Sequence, residues 1–498
     1  MHADAMVVGA GPVGLLLAAE LRLAGVEPLV LERLPEPSAQ PKARGVGPLA
    51  FEALVRRGLG EKIGAHQPGG AADKARDHSS EKSHFAWIHK IDPLLPAEPD
   101  RRGALIWQPD LEAVLGEYAA GLGVTVRREH DVVGLVQDEQ GVTVTVRTPA
   151  GQQRMTADYL VGCDGGRSVV RKLAGFDFPG TPPLMTARQA RVELADPDVL
   201  PPPGRLPGGM LIHGPGVLGT FDFDDDGPDH RSAVVTREEM EASVRRVAGV
   251  DVTITDMHSA LRFTDHARQA ATYRQGRVLL AGDAAHVHSP NGGQGLNLGL
   301  VDAANLGWKL ALEIRGQAGA GLLDSYTAER HPAGAAVLHN TRAQSALMLP
   351  GPHTDALRDI VADLMDIPEV NRYFARMLSG LATRYSFAYA TPHAHPLTGR
   401  PIPDLQLTTD GPHTARLSDF TTAGRAVLLT RAGSPAEAMA ARWRERLEVV
   451  TISALGHEEL AEVLVRPDGA VAWAAAPGRA ADTDLLEAAL RTWLGEPV

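Results

Sequence analysis

The opening of the chain restricts its fold more than any other part. Ala5-Met-Val-Val-Gly9 reads as a short buried strand, and Gly9-Ala-Gly11-Pro12-Val13-Gly14 follows at once. Leu15, Ala18, Ala19 and Leu23 then recur at helical spacing, with Gly25 placed to end the helix. Pro28-Leu-Val-Leu is a second apolar run, closed by Glu32, 18 residues beyond Gly14. G-x-G-x-x-G alone is a weak signal. Set in a strand, turn, helix, strand unit with a closing acid, it specifies dinucleotide binding. Gly9 permits the tight turn, Gly11 lets backbone approach a pyrophosphate, and Gly14 lets helix and strand pack closely. The helix N-terminus attracts the phosphate charge. Glu32 can accept two hydrogen bonds from a ribose diol, which selects an adenosine ribose without a 2′-phosphate.

Three later segments decide between NAD and FAD. Asp164-Gly-Gly-Arg-Ser168 follows the strand Tyr159-Leu-Val-Gly162, and Gly282-Asp283-Ala-Ala-His286 follows the buried run from Arg277 to Ala281. About 270 residues separate the first motif from Asp283. A site split this widely suits a long cofactor with a ribityl chain and a flavin ring, and Asp283 can bind ribityl hydroxyls. Ser289-Pro290-Asn-Gly-Gly293-Gln-Gly295-Leu296-Asn297 is a glycine loop opening a helix. Its N–H groups can face the flavin N1–C2=O edge and stabilise the anion formed on reduction.

The rest of the chain divides by texture. Helices are expected over Leu49 to Arg57 and Asp110 to Ala120, and a hairpin over Val124 to Arg147 about the turn Asp138 to Gly141. Gln67 to Gly103 is rich in Pro, His and Asp and reads as loops with short strands over a site. From Gly175 to Arg268, short alternating stretches between Pro/Gly clusters indicate a separate antiparallel sheet. Helical patterns follow over Leu296 to Gly316 and Gly321 to Thr341. A Pro-rich connection (His393 to Pro403) leads to the strands Ala426–Thr430, Leu447–Thr451, Ala461–Val465 and Val471–Trp473 and a last helix from Asp484. The expected division is therefore 1–175, 176–270, 271–395 and 396–498. A chain of 498 residues is long enough for about three domains of ~150 residues each.

Composition excludes several classes. Hydrophobic residues at 44% and charged residues at 22% are ordinary for a globular protein. The net charge of −12 disfavours nucleic acid, which needs a basic face, and gives no support for an anionic membrane surface. No uncharged apolar run approaches the roughly 18 residues of a membrane span. The N-terminus enters a strand with no basic leader, so a cytoplasmic protein is expected. The single cysteine, Cys163, excludes an intramolecular disulfide and a CxxC redox centre. Asp222-Phe-Asp-Asp-Asp-Gly227 imitates a calcium loop, but Ala233 stands where the bidentate Glu belongs, so a polar hairpin turn is expected. The pairs His286/His288 and His393/His395 lack a carboxylate or thiolate at matching spacing, and no metal is expected. No G-x-S-x-G elbow supports a serine hydrolase.

With Lys42-Ala-Arg44-Gly-Val46, Gln108-Pro-Asp-Leu-Glu112, Asp324-Ser-Tyr-x-x-Glu-Arg-His331 and Val465-Arg-Pro-Asp-Gly469-Ala-Val-Ala-Trp473, these motifs resemble the FAD-dependent aromatic polyketide hydroxylases. Those enzymes are class A flavoprotein monooxygenases similar to para-hydroxybenzoate hydroxylase. The resemblance implies a Rossmann-like α/β FAD-binding domain, an interleaved antiparallel-sheet substrate domain and a C-terminal thioredoxin-like domain. It implies that Arg44 sits beside the flavin ring, Lys42 near the phosphates and Gln108 at the ribityl–ring region. Asp164 would serve the second flavin motif and the nicotinamide cofactor, Arg33 would join Glu32 in the cofactor-binding set, and Pro290 would lie near the reactive edge. Arg44 and Pro290 are thus the catalytic candidates. Taken by themselves, Lys42 and Arg44 are a cationic pair in a loop, equally readable as solvated. The chain departs from the family at Asn291, where members often carry an apolar or small residue. Its C-terminal domain has no cysteine, so it cannot do thiol chemistry.

The implied reaction is hydroxylation of an aromatic polyketide by NADPH (NADH is possible) and O2 through a flavin C4a-hydroperoxide, in a monomer or homodimer. A phenol or hydroquinone supplies its own electron push, so no protein base is assigned. Two alternatives stay open: Baeyer–Villiger oxygenation, and a non-catalytic flavoprotein that binds or sequesters a polyketide.

Overall fold

Five parallel strands build the sheet that carries the site. The structure, a computed structural model, describes residues 2–40, 42–66, 83–92, 101–223, 234–409 and 414–497. Val278–Leu280, Gly151–Gly162, His2–Val8, Pro28–Leu31 and Thr125–Arg127 lie side by side in that order, each pair parallel. Both faces are covered at the centre of the sheet, so the strands there are apolar rather than alternating towards their carboxyl ends: Met6, Val7, Val30, Leu31, Leu160 and Leu279 are fully buried, whereas the edge strand Thr125–Arg127 and the first half of Gly151–Gly162 are polar. The strand order reverses at His2–Val8, and such a switch point leaves a crevice beyond the carboxyl ends of the strands. Gly9, Glu32, Asp164 and Gly282 all follow the carboxyl ends of these neighbouring strands. That shared edge is what brings motifs so distant in sequence together.

Helix Pro12–Leu23 covers one face and crosses helix Gln294–Ile314. The crossing is close because of Gly307, where a Cβ would lie 2.3 Å from that of Glu20. Glu20 is itself buried and paired with both arms of buried Arg57 at 2.7 Å.

One expectation is corrected here. Val124 to Arg147 is not a single hairpin: Thr125–Arg127 is the edge strand of the parallel sheet, paired with Leu29–Leu31. The hairpin is Asp131–Gln137 with Val142–Thr148, and it continues onto the long strand that begins at Gly151. Glu129, at φ 56°, breaks the run between the two. Both pieces alternate with the same period, so periodicity alone cannot separate them.

The second sheet is antiparallel, in the order Gly204–Leu206, Gly209–Gly214, Val217–Asp222, Thr186–Leu194, Ile254–Thr264. Helix Arg237–Ala248 packs Met240, Val244 and Val247 onto Leu211, Leu218 and Val192. A separate apolar cluster joins Met185, Ala187, Met210 and Phe221 to Phe85, Ile88 and Ile91 of a small hairpin, Ser83–Phe85 with Ile88–Ile91. The rest of the Pro/His/Asp-rich segment, 67–82 and 93–100, lies outside the described residues, as does 224–233 of the calcium-like turn. Helices Pro352–Leu364 and Pro368–Ser379 were not expected; each has proline at its first position, where it starts a helix rather than breaking one.

The C-terminal sheet runs Thr414–Arg416, Gln406–Thr409, Leu447–Leu455, Ala426–Thr430, Glu462–Val465, Val471–Ala475. Its central pair is parallel and the others antiparallel. Helix Thr483–Leu494, capped by the Asp482 side chain, packs Trp493 edge-on to Trp308 of helix Gln294–Ile314. No helix among the described residues is long and apolar enough to cross a membrane.

Candidate cofactor site and active site

A cavity of about 1170 Å³ occupies the crevice at the strand ends. It exceeds the ~300–1,000 Å³ usual for drug-sized ligands, as an extended dinucleotide requires. The three glycines of the first motif have different reasons to lack a side chain. Gly9 is at φ +105°, and its Cβ would lie 2.5 Å from the Cys163 carbonyl oxygen. A Cβ on Gly14 would lie 2.0 Å from the Gly9 carbonyl oxygen. A Cβ on Gly11 would meet no protein atom within 4 Å, although Gly11 lines the cavity. A side chain at Gly11 would therefore stand in the open space of the cavity.

On one side of this turn, Glu32 accepts from Ala10 N–H and Leu34 N–H, one to each oxygen, both at 2.8 Å. The carboxylate is thereby aimed in advance, and each oxygen keeps a lone pair for a ribose hydroxyl. On the other side, Asp164 Oδ2 accepts from Val169 N–H at 2.6 Å and Val170 N–H at 3.1 Å. Asp164 Oδ1 is buried and has no partner among the described residues. A buried oxygen left unpaired costs about 1–3 kcal/mol, which a bound hydroxyl or N–H would offset.

Gly282 (φ +62°) starts the turn that presents Asp283 to the cavity. That turn is held from behind by buried Asp302, which accepts from Gly282 N–H at 3.1 Å, His286 Nε2 at 2.7 Å and Arg330 Nε at 2.7 Å. Burial works to raise the Asp302 carboxyl, but Arg330 and His286 outweigh it and hold it below the usual range. Downstream, Gly292 and Gly293 both take left-handed φ, 79° and 62°, and turn the chain into helix Gln294–Ile314. Gly295 and Leu296 line the cavity in its first turn, where N–H groups lack partners within the helix. Ser289 Oγ, Asn291 Nδ2 and His288 Nε2 beside them are also buried without partners among the described residues.

The loop carrying Lys42 and Arg44 is fixed by backbone bonds, Gln108 N–H to Ala43 at 2.9 Å and Ile106 N–H to Arg44 at 3.2 Å. The exposed Arg44 guanidinium lies 5.4 Å from the centroid of the Trp107 ring, a cation–π contact that orients it. Gln108 donates to Glu112 at 2.8 Å. Asn297 accepts from Gly47 N–H at 2.7 Å and donates to Gly293 at 2.9 Å, pinning this loop to the helix start. Acceptors for hydroxyls, a helix start for negative charge and side-chain-free room at Gly11 fit FAD.

Comparison with known proteins agrees with this chemistry. Residues 2–341 match the family described as FAD binding domain, and residues 395–497 match aromatic-ring hydroxylase, C-terminal. The chain belongs to the FAD-dependent aromatic-ring hydroxylases. As a member of this family it is a flavin-dependent monooxygenase. It is 44% identical, over 100% of both chains, to the 12-dehydrotetracycline 5-monooxygenase/anhydrotetracycline 6-monooxygenase of Streptomyces rimosus. The solved structure of the anhydrotetracycline hydroxylase OxyS from Streptomyces rimosus superposes with a TM-score of 0.88, at 42% identity over 100% of both chains. The chain is also 36% identical, over 99% of both chains, to a dialkyldecalin synthase of Streptomyces rugosporus.

Within this hydroxylase the cavity gathers Gly9, Gly11, Pro12, Val13, Glu32, Arg33, Lys42, Arg44, Gln108, Asp164, Asp283, Pro290, Gly293, Gly295, Leu296 and Asn297. Gly14 and Gly282 lie behind the lining: Gly14 closes onto Gly9, and a Cβ on Gly282 would press on Val13 Cγ2 at 3.1 Å. No group of three or more His, Cys, Asp or Glu suited to a metal occurs among the described residues.

Sequence reasoning missed Asp302 and the role of two motifs it had quoted. Arg466 meets Glu329 with two bonds of 2.7 Å, and Lys309 reaches the same carboxylate at 2.8 Å. Asn305 bridges Glu329 at 2.7 Å and Asp468 at 2.9 Å. The Arg466 guanidinium also lies 4.3 Å from the Trp493 ring centroid. Burial pushes the Lys309 ammonium down to about 8, while Arg466 and Lys309 overcome burial and hold Glu329 down to about 2. Glu329 thus ties the C-terminal segment to helix Asp324–Met348, in which the following residue, Arg330, buttresses the turn at Gly282 through Asp302. The motif residues were visible in the sequence, but not that they were partners.

Proposed function

We propose that this enzyme hydroxylates an aromatic polyketide, a polycyclic phenol, with NADPH and O2. The observation that carries the reading is the cavity itself: three separate motifs converge on it, with the Asp164 oxygen unpaired and the place at Gly11 kept open. The tetracycline monooxygenase at 44% identity supports the substrate class. When bound, FAD supplies hydride acceptance and oxygen activation. Gly9, Gly11 and the start of helix Pro12–Leu23 would hold its phosphates, Glu32 its adenosine ribose, and Asp164 and Asp283 its ribityl hydroxyls. The first turn of helix Gln294–Ile314 would stabilise negative charge at the ring, with Arg44 adding a cation. Pro290 would border the reactive edge. The substrate phenol supplies its own electron push through its oxygen, so the protein's part is to orient the ring and exclude water.

The reading includes four segments, 1–175, 176–270, 271–395 and 396–498, with substrate between the cofactor and the antiparallel sheet. It takes the last segment as thioredoxin-like, on the strand order 406–409, 447–455, 426–430, 462–465, 471–475 and the closing helix. Without cysteine, that domain would act by seating Arg466 against Glu329.

The test is NADPH consumption against a panel of polycyclic phenols, with product mass. Substrate-stimulated oxidation and a product one oxygen heavier with rings intact are expected; ring opening would indicate Baeyer–Villiger chemistry. The dialkyldecalin synthase relative, named for a synthase and not for an oxygenase, favours one other reading, an enzyme that forms a ring without transferring oxygen. A product of unchanged mass, formed without NADPH, would establish that instead.

A further inference from the structure

The tip of the small hairpin is strained. Ala86 and Trp87 take left-handed φ values of 50° and 64°, unusual for residues with side chains. Such a conformation persists where its surroundings hold it, and it clusters at ligand clamps. Here Ala86 is fully buried, its N–H donates to Gln344 Oε1 at 3.1 Å, and its carbonyl accepts from Arg358 Nη1 at 2.8 Å.

Gln344 is also a link in a directed chain. Its Nε2 donates to Asn340 Oδ1 at 2.8 Å, and Asn340 Nδ2 donates to Gln294 Oε1. Gln294 Nε2 ends the chain on the carbonyls of Met377 and Leu378 at 3.3 and 3.2 Å. All three amides are buried, and each uses its donor and its acceptor, so none can reverse without breaking two bonds. The flavin-end turn stands close by: a Cβ on Gly292 would lie 3.1 Å from Leu378 Cδ2 and 3.3 Å from Gln344 Nε2, so a side chain there would press on both. Gly292 lines the cofactor cavity, and so does Ser83 at the base of the hairpin. One side chain is therefore bonded to the strained tip and, through Asn340, to Gln294, the first residue of the helix that follows the turn beside Pro290, while the hairpin packs on the antiparallel sheet where substrate is proposed to lie.

We propose that Gln344 is a positioning residue for oxygen transfer, its amide setting the hairpin against the flavin-end turn and so the distance from substrate ring to cofactor. This rests on the hydroxylase reading above. The sensitive quantity is coupling. When the substrate carbon is misplaced, both electrons of NADPH return to O2, and NADPH + H⁺ + O2 gives NADP⁺ + H2O2 with no product.

The test compares wild type, Gln344→Met and Gln344→Glu as FAD-loaded full-length enzyme, measuring FAD content, NADPH oxidation, H2O2 and product. Gln344→Met is expected to keep wild-type FAD content and NADPH oxidation within about twofold, while product per NADPH falls roughly 5- to 10-fold. Gln344→Glu keeps the acceptor for Ala86 N–H but loses the donor to Asn340 Oδ1, so it is expected to uncouple as well, though less than Gln344→Met. Should Gln344→Met not fold, Arg358→Met, which releases the other side of the tip, is expected to uncouple in the same way. Unchanged coupling in either Met variant, or product loss that merely follows FAD loss, would overturn the proposal. A wild type that consumes no NADPH with any phenol would overturn the hydroxylase reading as well.

Discussion

Gly11→Ala separates a glycine kept for the cofactor from glycines kept for the fold. Gly11 has φ −76° and ψ −179°, a conformation alanine adopts without strain. Its added methyl would meet no protein atom within 4 Å. The apo-protein should melt as wild type does, with a change within about 0.5 kcal/mol, because nothing is displaced. The methyl would instead project into the cavity where we propose that the pyrophosphate approaches the backbone. Losing one charge-assisted hydrogen bond there costs about 1.5–3 kcal/mol, which is about 10- to 150-fold in FAD affinity. Gly14→Ala is the contrasting variant. Its methyl would lie 2.0 Å from the Gly9 oxygen, so the apo-protein itself should be destabilised by several degrees. The assay strips the flavin, melts each apo-protein, and titrates FAD by quenching of its fluorescence. Wild-type FAD affinity in Gly11→Ala, or an apo melting temperature as low as that of Gly14→Ala, would refute the argument.

Three further outcomes follow from the same geometry. Arg44→Ala should lower turnover while FAD content stays at the wild-type level; unchanged turnover would remove Arg44 from the mechanism. Asp302→Asn removes the charge that holds Gly282, His286 and Arg330 together, and should weaken FAD binding about tenfold by equilibrium titration. Glu329, held down to about 2 from an ordinary 4.5, contributes stability that is full above pH 4.5 and fades as the pH falls towards 2, on the order of 3 kcal/mol. Glu329→Gln should therefore melt below wild type at pH 7, with the gap closing as the pH drops to 3. A constant gap would contradict the ion cluster's role.

What the sequence revealed depended on how local the cause was. The turns at Gly9 and Gly282 need left-handed φ, a property of single residues, so glycine announces them. Pro28–Leu31, Val278–Leu280 and the second half of His2–Val8 are unbroken apolar runs that declare burial on both faces. Thr125–Arg127 was misplaced because an edge strand and a hairpin arm share one period. Asp302, Gln344 and the pairing of Glu329 with Arg466 were hidden for a different reason. Each depends on a partner remote in sequence: Glu329 and Arg466 are 137 residues apart, and Gln344 lies 258 from Ala86. Only the closed fold shows which buried donor meets which acceptor. Glu32 was read as a ribose acceptor, while its bonds to Ala10 and Leu34, which aim it, appear only once the two strands lie side by side.

Absorbance of the purified full-length protein tests the central claim most directly. The account predicts a yellow protein that carries, or takes up on addition, about one FAD per chain, with FAD bound about 10- to 150-fold more weakly by Gly11→Ala while the fold remains. A colourless protein that refuses added FAD would contradict it.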